Sequence, residues 1–126
     1  MDETAQRWAD KYNEAANGIA DFLDENFETL TKEEVKEFEK SEKALRKLSK
    51  QMRDEAIITA MEGLSDDLKA ITKATERGTK AILKINDVKK GIQIITNVIQ
   101  LGVAVLSGNA GAAVGAAKEL AKSLKA

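Results

Sequence analysis

The sequence predicts an all-α protein, an elongated antiparallel bundle of four to five helices with a Gly/Ala-rich helical hairpin at its C-terminal end. Three observations carry that expectation. No proline occurs in the 126 residues, so every segment is free to run as helix. Apolar residues recur every three or four positions through most of the chain. One stretch, Gly91 to Ala117, is uncharged throughout, although 33% of the chain is charged. A chain of this length fits one domain and is long enough to bury a core. It reads as a single helical domain, 1–126, with charged amphipathic helices over 1–90 and the uncharged hairpin with its basic tail over 91–126.

Composition excludes more than it identifies. Without cysteine there is no disulfide, thiol nucleophile or thiolate metal site. Without histidine the usual general base, the commonest metal ligand and the ordinary pH switch are missing together. The net charge of -1, from 20 basic and 21 acidic side chains, gives no global field that would favour nucleic acid. The charge is nonetheless segregated. Residues 1–28 hold eight acids against Arg7 and Lys11, and residues 69–90 hold seven basic side chains against Glu76 and Asp87. Either these two segments lie side by side or one of them meets a charged partner. The opening MDETAQRWAD is polar and acidic, unlike a signal or transit peptide. It predicts a soluble protein made in the cytoplasm, with later release or membrane association left open.

The first helix is expected from Glu3 to Asn26. Trp8, Tyr12, Ala15, Ile19, Phe22 and Leu23 form its apolar stripe, with Trp8 and Tyr12 as core anchors. Gly18 weakens it by about 1 kcal/mol against Ala and admits a close helix contact. In Leu30-Thr31-Lys32-Glu33-Glu34-Val35, Thr31 and Glu34 make a capping box and Leu30 with Val35 a hydrophobic staple, so a second helix starts at Lys32. Its apolar positions, Val35, Phe38, Leu45, Leu48, Met52, Ala56, Thr59 and Ala60, predict a rod of about 45 Å running to Met61, with Gly63 ending it. Glu39 with Lys43 and Glu42 with Arg46 support the wet face. Ser65 before Asp66 and Asp67 predicts the start of a third helix. Its buried side is Leu68, Ile71, Thr75, Gly78, Ile82 and Ile85, and Lys69, Lys73, Lys80 and Lys84 form a basic ridge. At Asn86-Asp87 two readings stand: a break with Asp87 capping a fourth helix, or one helix of about 63 Å continuing to Ser107.

Ser107-Gly108-Asn109 reads as a stop and a restart, with Gly108 as left-handed cap and Asn109 as the next N-cap. The last helix is then Ala110 to Leu124. As one unbroken helix Gly91 to Ala117 reaches about 40 Å, against a bilayer core of about 30 Å. As a hairpin its uncharged arms measure about 25 Å and about 12 Å, so two full spans do not fit. The candidate membrane or helix-packing residues are Ile92, Ile95, Ile99, Val103 and Leu106, with Val114 and the small-xxx-small pair Gly111 and Gly115. Gln93, Asn97 and Gln100 form a polar, uncharged stripe that fits conditional exposure better than permanent insertion. Lys118, Lys122 and Lys125 are the candidate interfacial basic residues, on the side away from Ala117, Leu120, Ala121 and Leu124.

No catalytic, cofactor-binding or metal-ligating residue is identified. Asp21, Asp24, Glu25 and Glu28 share a helical face, but carboxylate sites in bundles draw on several helices and normally recruit His. The C-terminal glycines lack the Lys-Ser or Lys-Thr and the preceding strand of a phosphate loop. No Ser or Thr has an evident base to activate it. The lysine ridge has no interleaved aromatic residue to stack a nucleic-acid base. No enzyme activity, cofactor, small-molecule substrate or nucleic acid is therefore expected.

Long amphipathic helices leading into an Ile/Val-rich run and then into Leu106-Ser107-Gly108-Asn109-Ala110-Gly111-Ala112-Ala113-Val114-Gly115-Ala116-Ala117-Lys118-Glu119-Leu120 resemble the hydrophobic region of helical pore-forming toxins related to cytolysin A. The resemblance covers roughly the last third of the chain. It implies a soluble helical protein that exposes its hydrophobic part at a membrane and oligomerises. The leading expectation is a non-enzymatic, membrane-active protein that releases Gly91 to Leu124 from the first two helices. Its partners are then itself or another helical protein, and an anionic membrane. The alternative is a cytoplasmic interaction module, such as an adaptor, chaperone or antitoxin-like protein, in which the same hairpin is permanent core.

Overall fold

The computed structural model describes residues 3–54, 60, 62–64 and 66–125, and these form an all-helical bundle without strands. The helices are α1 (Glu3–Asn26), α2 (Lys32–Gln51), α3 (Leu68–Ile82), α4 (Val88–Ser107) and α5 (Ala110–Lys125). Around the bundle they follow the order α2, α1, α3, α5, α4, with α4 closing back on α2 and also touching α3. The acidic α1 and the basic α3 do lie side by side, and their close approach is apolar: a Cβ on Gly18 would sit 2.7 Å from Leu83.

α1 occupies the predicted residues because its small and large apolar side chains share one face. Ala5, Trp8, Ala9, Tyr12, Ala15, Ala16, Ile19 and Leu23 are all buried. The alanines let α2 come close enough for the buried Ser49 hydroxyl to donate to the Ala9 carbonyl at 2.7 Å. Phe22 and Phe38 pack at a centroid distance of 5.1 Å, which adds an aromatic contact to that interface. Trp8 is 1% exposed, and its indole N–H has no acceptor among the described residues, so its contribution is apolar packing.

α2 begins where its capping box places it. The Glu34 N–H donates to Thr31 Oγ1 at 3.1 Å and the Thr31 N–H donates to Glu34 Oε1 at 2.8 Å. Glu42 and Arg46 make an ion pair on its surface at 3.0 Å. The helix ends at Gln51, so the predicted rod to Met61 is not formed. Met52 closes the last α-turn, and the next two N–H groups, of Arg53 and Asp54, bond only three residues back, to Lys50 and Gln51. That tightening closes the end of the helix. Met52 plugs the core, and Gly63 comes to lie so near the α4–α5 turn that a Cβ there would be 2.9 Å from the Gly108 carbonyl oxygen. Ala56, Thr59 and Met61 lie outside the described residues, as does Ser65.

The third helix starts at Leu68 with Asp67 in the N-cap position and no side-chain cap. Asp66 and Asp67 therefore precede the helix instead of occupying its first turn. The Asp67 N–H is already used by the Leu64 carbonyl, and Leu64 is fully buried, which fixes the entry angle of the chain. Ile71, Thr75, Gly78 and Ile82 form the buried side, as expected. Of the two readings at Asn86-Asp87 the structure takes the break. Asp87 has extended backbone, and its carboxylate accepts from the Lys90 N–H at 2.9 Å as the cap of α4.

The α4–α5 turn follows the expected chemistry. Gly108 is left-handed at φ 71° and ψ 10°, and Asn109 Oδ1 caps α5 by accepting from the Ala112 N–H at 3.0 Å. Gly108→Ala should destabilise the fold by about 1–2 kcal/mol, the cost of placing an L side chain in that region, read as a lower thermal midpoint.

Candidate functional site

The uncharged hairpin is built into the bundle centre. Gly91, Ile94, Ile95, Val98, Leu101, Gly102 and Val105 form the buried face of α4. Helix α4 packs on α2 and α3, and α5 packs on α3 and α4, so the seat of the hairpin includes α3 as well as the first two helices. The reach of α1 into α4 comes through Tyr12. Its hydroxyl donates to the Val98 carbonyl at 2.8 Å, and a Cβ on Gly102 would lie 2.6 Å from the Tyr12 ring. Glycine at that position opens the slot that the phenol fills. A second slot is Gly78 on α3, where a Cβ would meet Val98 at 2.7 Å and Leu120 at 2.8 Å.

Burial pushes the Tyr12 phenol well above the ordinary tyrosine range. The unfolded phenol ionises at about pH 10, while the folded one stays protonated. The unfolded state then binds fewer protons, so the stabilising effect is complete below that pH and is lost as pH rises above it. Denaturation titrations between pH 8 and 11 should show a loss approaching about 1.4 kcal/mol per pH unit that Tyr12→Phe removes. Tyr12 is the single tyrosine, so its ionisation is readable by ultraviolet absorbance.

The predicted membrane or packing residues separate into two groups. Ile95 is buried, whereas Ile92, Ile99 and Leu106 are half-buried and Val103 is 56% exposed. Ile99, Val103 and Leu106 lie along a groove of about 450 Å³ against Ala44, Lys47, Leu48 and Gln51 of α2. The face that carries the core is set about one position away from the predicted stripe. Gln93 and Gln100 are exposed and Asn97 is half-buried, on the outer side of α4. On α5, Val114 is half-buried but Gly111 and Gly115 face outward. A Cβ on Gly115 would meet nothing within 4 Å, so within the bundle this pair makes no helix seam. Lys118, Lys122 and Lys125 are exposed, with Lys122 3.6 Å from Glu119.

Sequence reasoning passed over the residues that anchor the hairpin: Ile94, Val98, Leu101 and Val105, with Ala113 on α5. The signal was present in the spacing of Gly91, Val98 and Val105 at seven-residue intervals. It also passed over Phe27, which is 63% exposed in the α1–α2 turn. Asp21, Asp24, Glu25 and Glu28 are exposed, and no group of three or more possible metal ligands is gathered among the described residues. Together these features define an all-helical bundle with a groove on either side of its C-terminal hairpin. No protein family model, curated protein or solved structure matches the chain.

Proposed function

We propose that this is a non-enzymatic interaction module whose C-terminal hairpin is permanent core, and that its α2–α4 groove joins two copies of the chain. The carrying observation is the groove itself. Ile99, Val103 and Leu106 of α4 line it at helical spacing, and on α2 Ala44 and Leu48 face them beside Lys47 and Gln51. That spacing is the seam of a helix–helix contact. The adjoining outer face, through Gln93, Thr96 and Gln100, is uncharged, so two copies meet it without repulsion. Sedimentation equilibrium should find a concentration-dependent oligomer that Val103→Glu converts to monomer. Because Val103 is exposed, that substitution should leave the unfolding midpoint nearly unchanged at concentrations low enough for the parent to be monomeric, and should lower it at concentrations where the parent is assembled. A parent chain that stays monomeric at high concentration overturns the assignment.

One observation favours a second reading. α4 is, among the described residues, the helix long and apolar enough to cross a membrane. In that reading, supported also by the resemblance to cytolysin A-related toxins, the hairpin leaves the bundle, and Lys118, Lys122 and Lys125 meet anionic headgroups. Dye release from anionic vesicles tests it directly. Hydrogen exchange separates the two readings: a releasable hairpin exchanges well before global unfolding, and a core hairpin does not.

A further inference from the structure

We infer that the groove between α3 and α5 is a second docking site, fitted to an acidic amphipathic helix of a partner protein. Its floor is apolar and small, with Ile71 and Ala74 from α3 facing Val114, Ala117 and Ala121 from α5 across about 290 Å³. Small side chains on both helices leave room for a third helix to approach closely, as ridges settle into grooves. The walls are basic on both sides. Lys73 and Arg77 rise from α3 and Lys118 from α5, all exposed. Among the described residues none of these three cations has a carboxylate partner. The one acid at the groove, Asp67, sits at its end, before α3 begins.

Floor and walls together select the occupant. An acidic helix without an apolar seam would satisfy the cations and leave the floor empty. The exposed acids of α1 in a second copy, Asp10, Glu14 and Asp21, have that defect, because the apolar stripe of α1 is already buried in its own core. A flat anionic bilayer likewise reaches the rim lysines and not the recessed alanines. A helix with aliphatic residues at i, i+3, i+4 and i+7 and glutamates on either side meets both requirements. Charge complementarity then sets the orientation and the partner choice, and the buried seam supplies the area.

The test uses the full chain and two synthetic helical peptides with the same leucine seam, one flanked by glutamate and the other by lysine, followed by fluorescence anisotropy. The glutamate peptide should bind about tenfold more tightly than the lysine peptide, the combined worth of three rim charges. The triple substitution Lys73→Glu, Arg77→Glu, Lys118→Glu should reverse that preference, and being confined to exposed positions it should leave helicity unchanged. Ala74→Phe, which fills the floor and keeps the cations, should abolish binding of both peptides. Equal binding of the two peptides, or a preference that survives the charge reversal, overturns the site. So does binding to phosphatidylglycerol vesicles that the triple substitution removes while the glutamate peptide stays unbound, since the rim then serves lipid. An oligomer dissolved by the triple substitution overturns it in favour of a second copy. Val103→Glu should leave the peptide preference intact, so failure at the α2–α4 groove is read separately.

Discussion

Gly102→Ala should lower the unfolding free energy by about 2 kcal/mol, against the gain of about 1 kcal/mol that an exposed helical Gly→Ala change gives. The new Cβ would stand 2.6 Å from one ring carbon of Tyr12 and 2.9 Å from its hydroxyl oxygen. A flexible side-chain tip could swing away from such a contact. Tyr12 has no such freedom, because its ring is fully buried and its hydroxyl is held by the Val98 carbonyl 86 residues away in sequence. Relief must come from moving α1 against α4. Urea denaturation of Gly102→Ala, Tyr12→Ala and the double variant gives the coupling directly, expected at about 1–3 kcal/mol for side chains that share one slot. Stabilisation by Gly102→Ala alone would show that the slot is not closed by Tyr12.

Leu120→Ala should cost about 2–5 kcal/mol and loosen α5 from its neighbours. Leu120 is fully buried over Gly78, where α3, α4 and α5 converge, so truncation leaves a cavity whose walls are already in contact. Five residues away, Gly115→Ala should do the opposite and stabilise the helix by about 0.5–1 kcal/mol, since the added methyl meets nothing. The pair places opposite signs on two positions of one helix. Calorimetric midpoints that fell for both variants would mean that Gly115 is packed against something.

Local chemistry was readable in the sequence at three helix ends, though not at Gly63 or at Asp66-Asp67. The Thr31-Glu34 box, the left-handed Gly108 and the Asn109 cap set helix ends where they were expected, because each signal needs only residues within one turn of it. Tertiary choices were not readable in the same way. α2 stops at Gln51 without glycine or proline: Met52 is buried in the core there, and the N–H groups of Arg53 and Asp54 bond three residues back. α4 misled for a different reason. Ile92, Ile94, Ile95, Val98, Ile99, Leu101, Val103, Val105 and Leu106 cover about half of its circumference, wider than one core stripe, so periodicity alone does not say which of two adjacent stripes is core. Small residues carried the same ambiguity. Gly111 and Gly115 match a packing pattern and lie outside, while Gly78 and Gly102 match no motif and hold close contacts of 2.7 and 2.6 Å. The α2–α4 groove was half visible, through its α4 wall, and the α3–α5 groove only as two separate rows of lysine.

The bond from Tyr12 to Val98 also orders the making of the protein in time. The chain emerges from its N-terminus, and the apolar stripe of α1 is complete when residue 23 has been made, yet the carbonyl and the glycine slot that receive Tyr12 belong to residues 98 and 102. α1 and α2 can pair early, since their contact is local. α3 then covers one side of α1, and the Tyr12 slot closes only when α4 arrives. A polypeptide halted before that point lacks both the Val98 carbonyl and the Gly102 slot for Tyr12, so its core is incomplete until α4 is made.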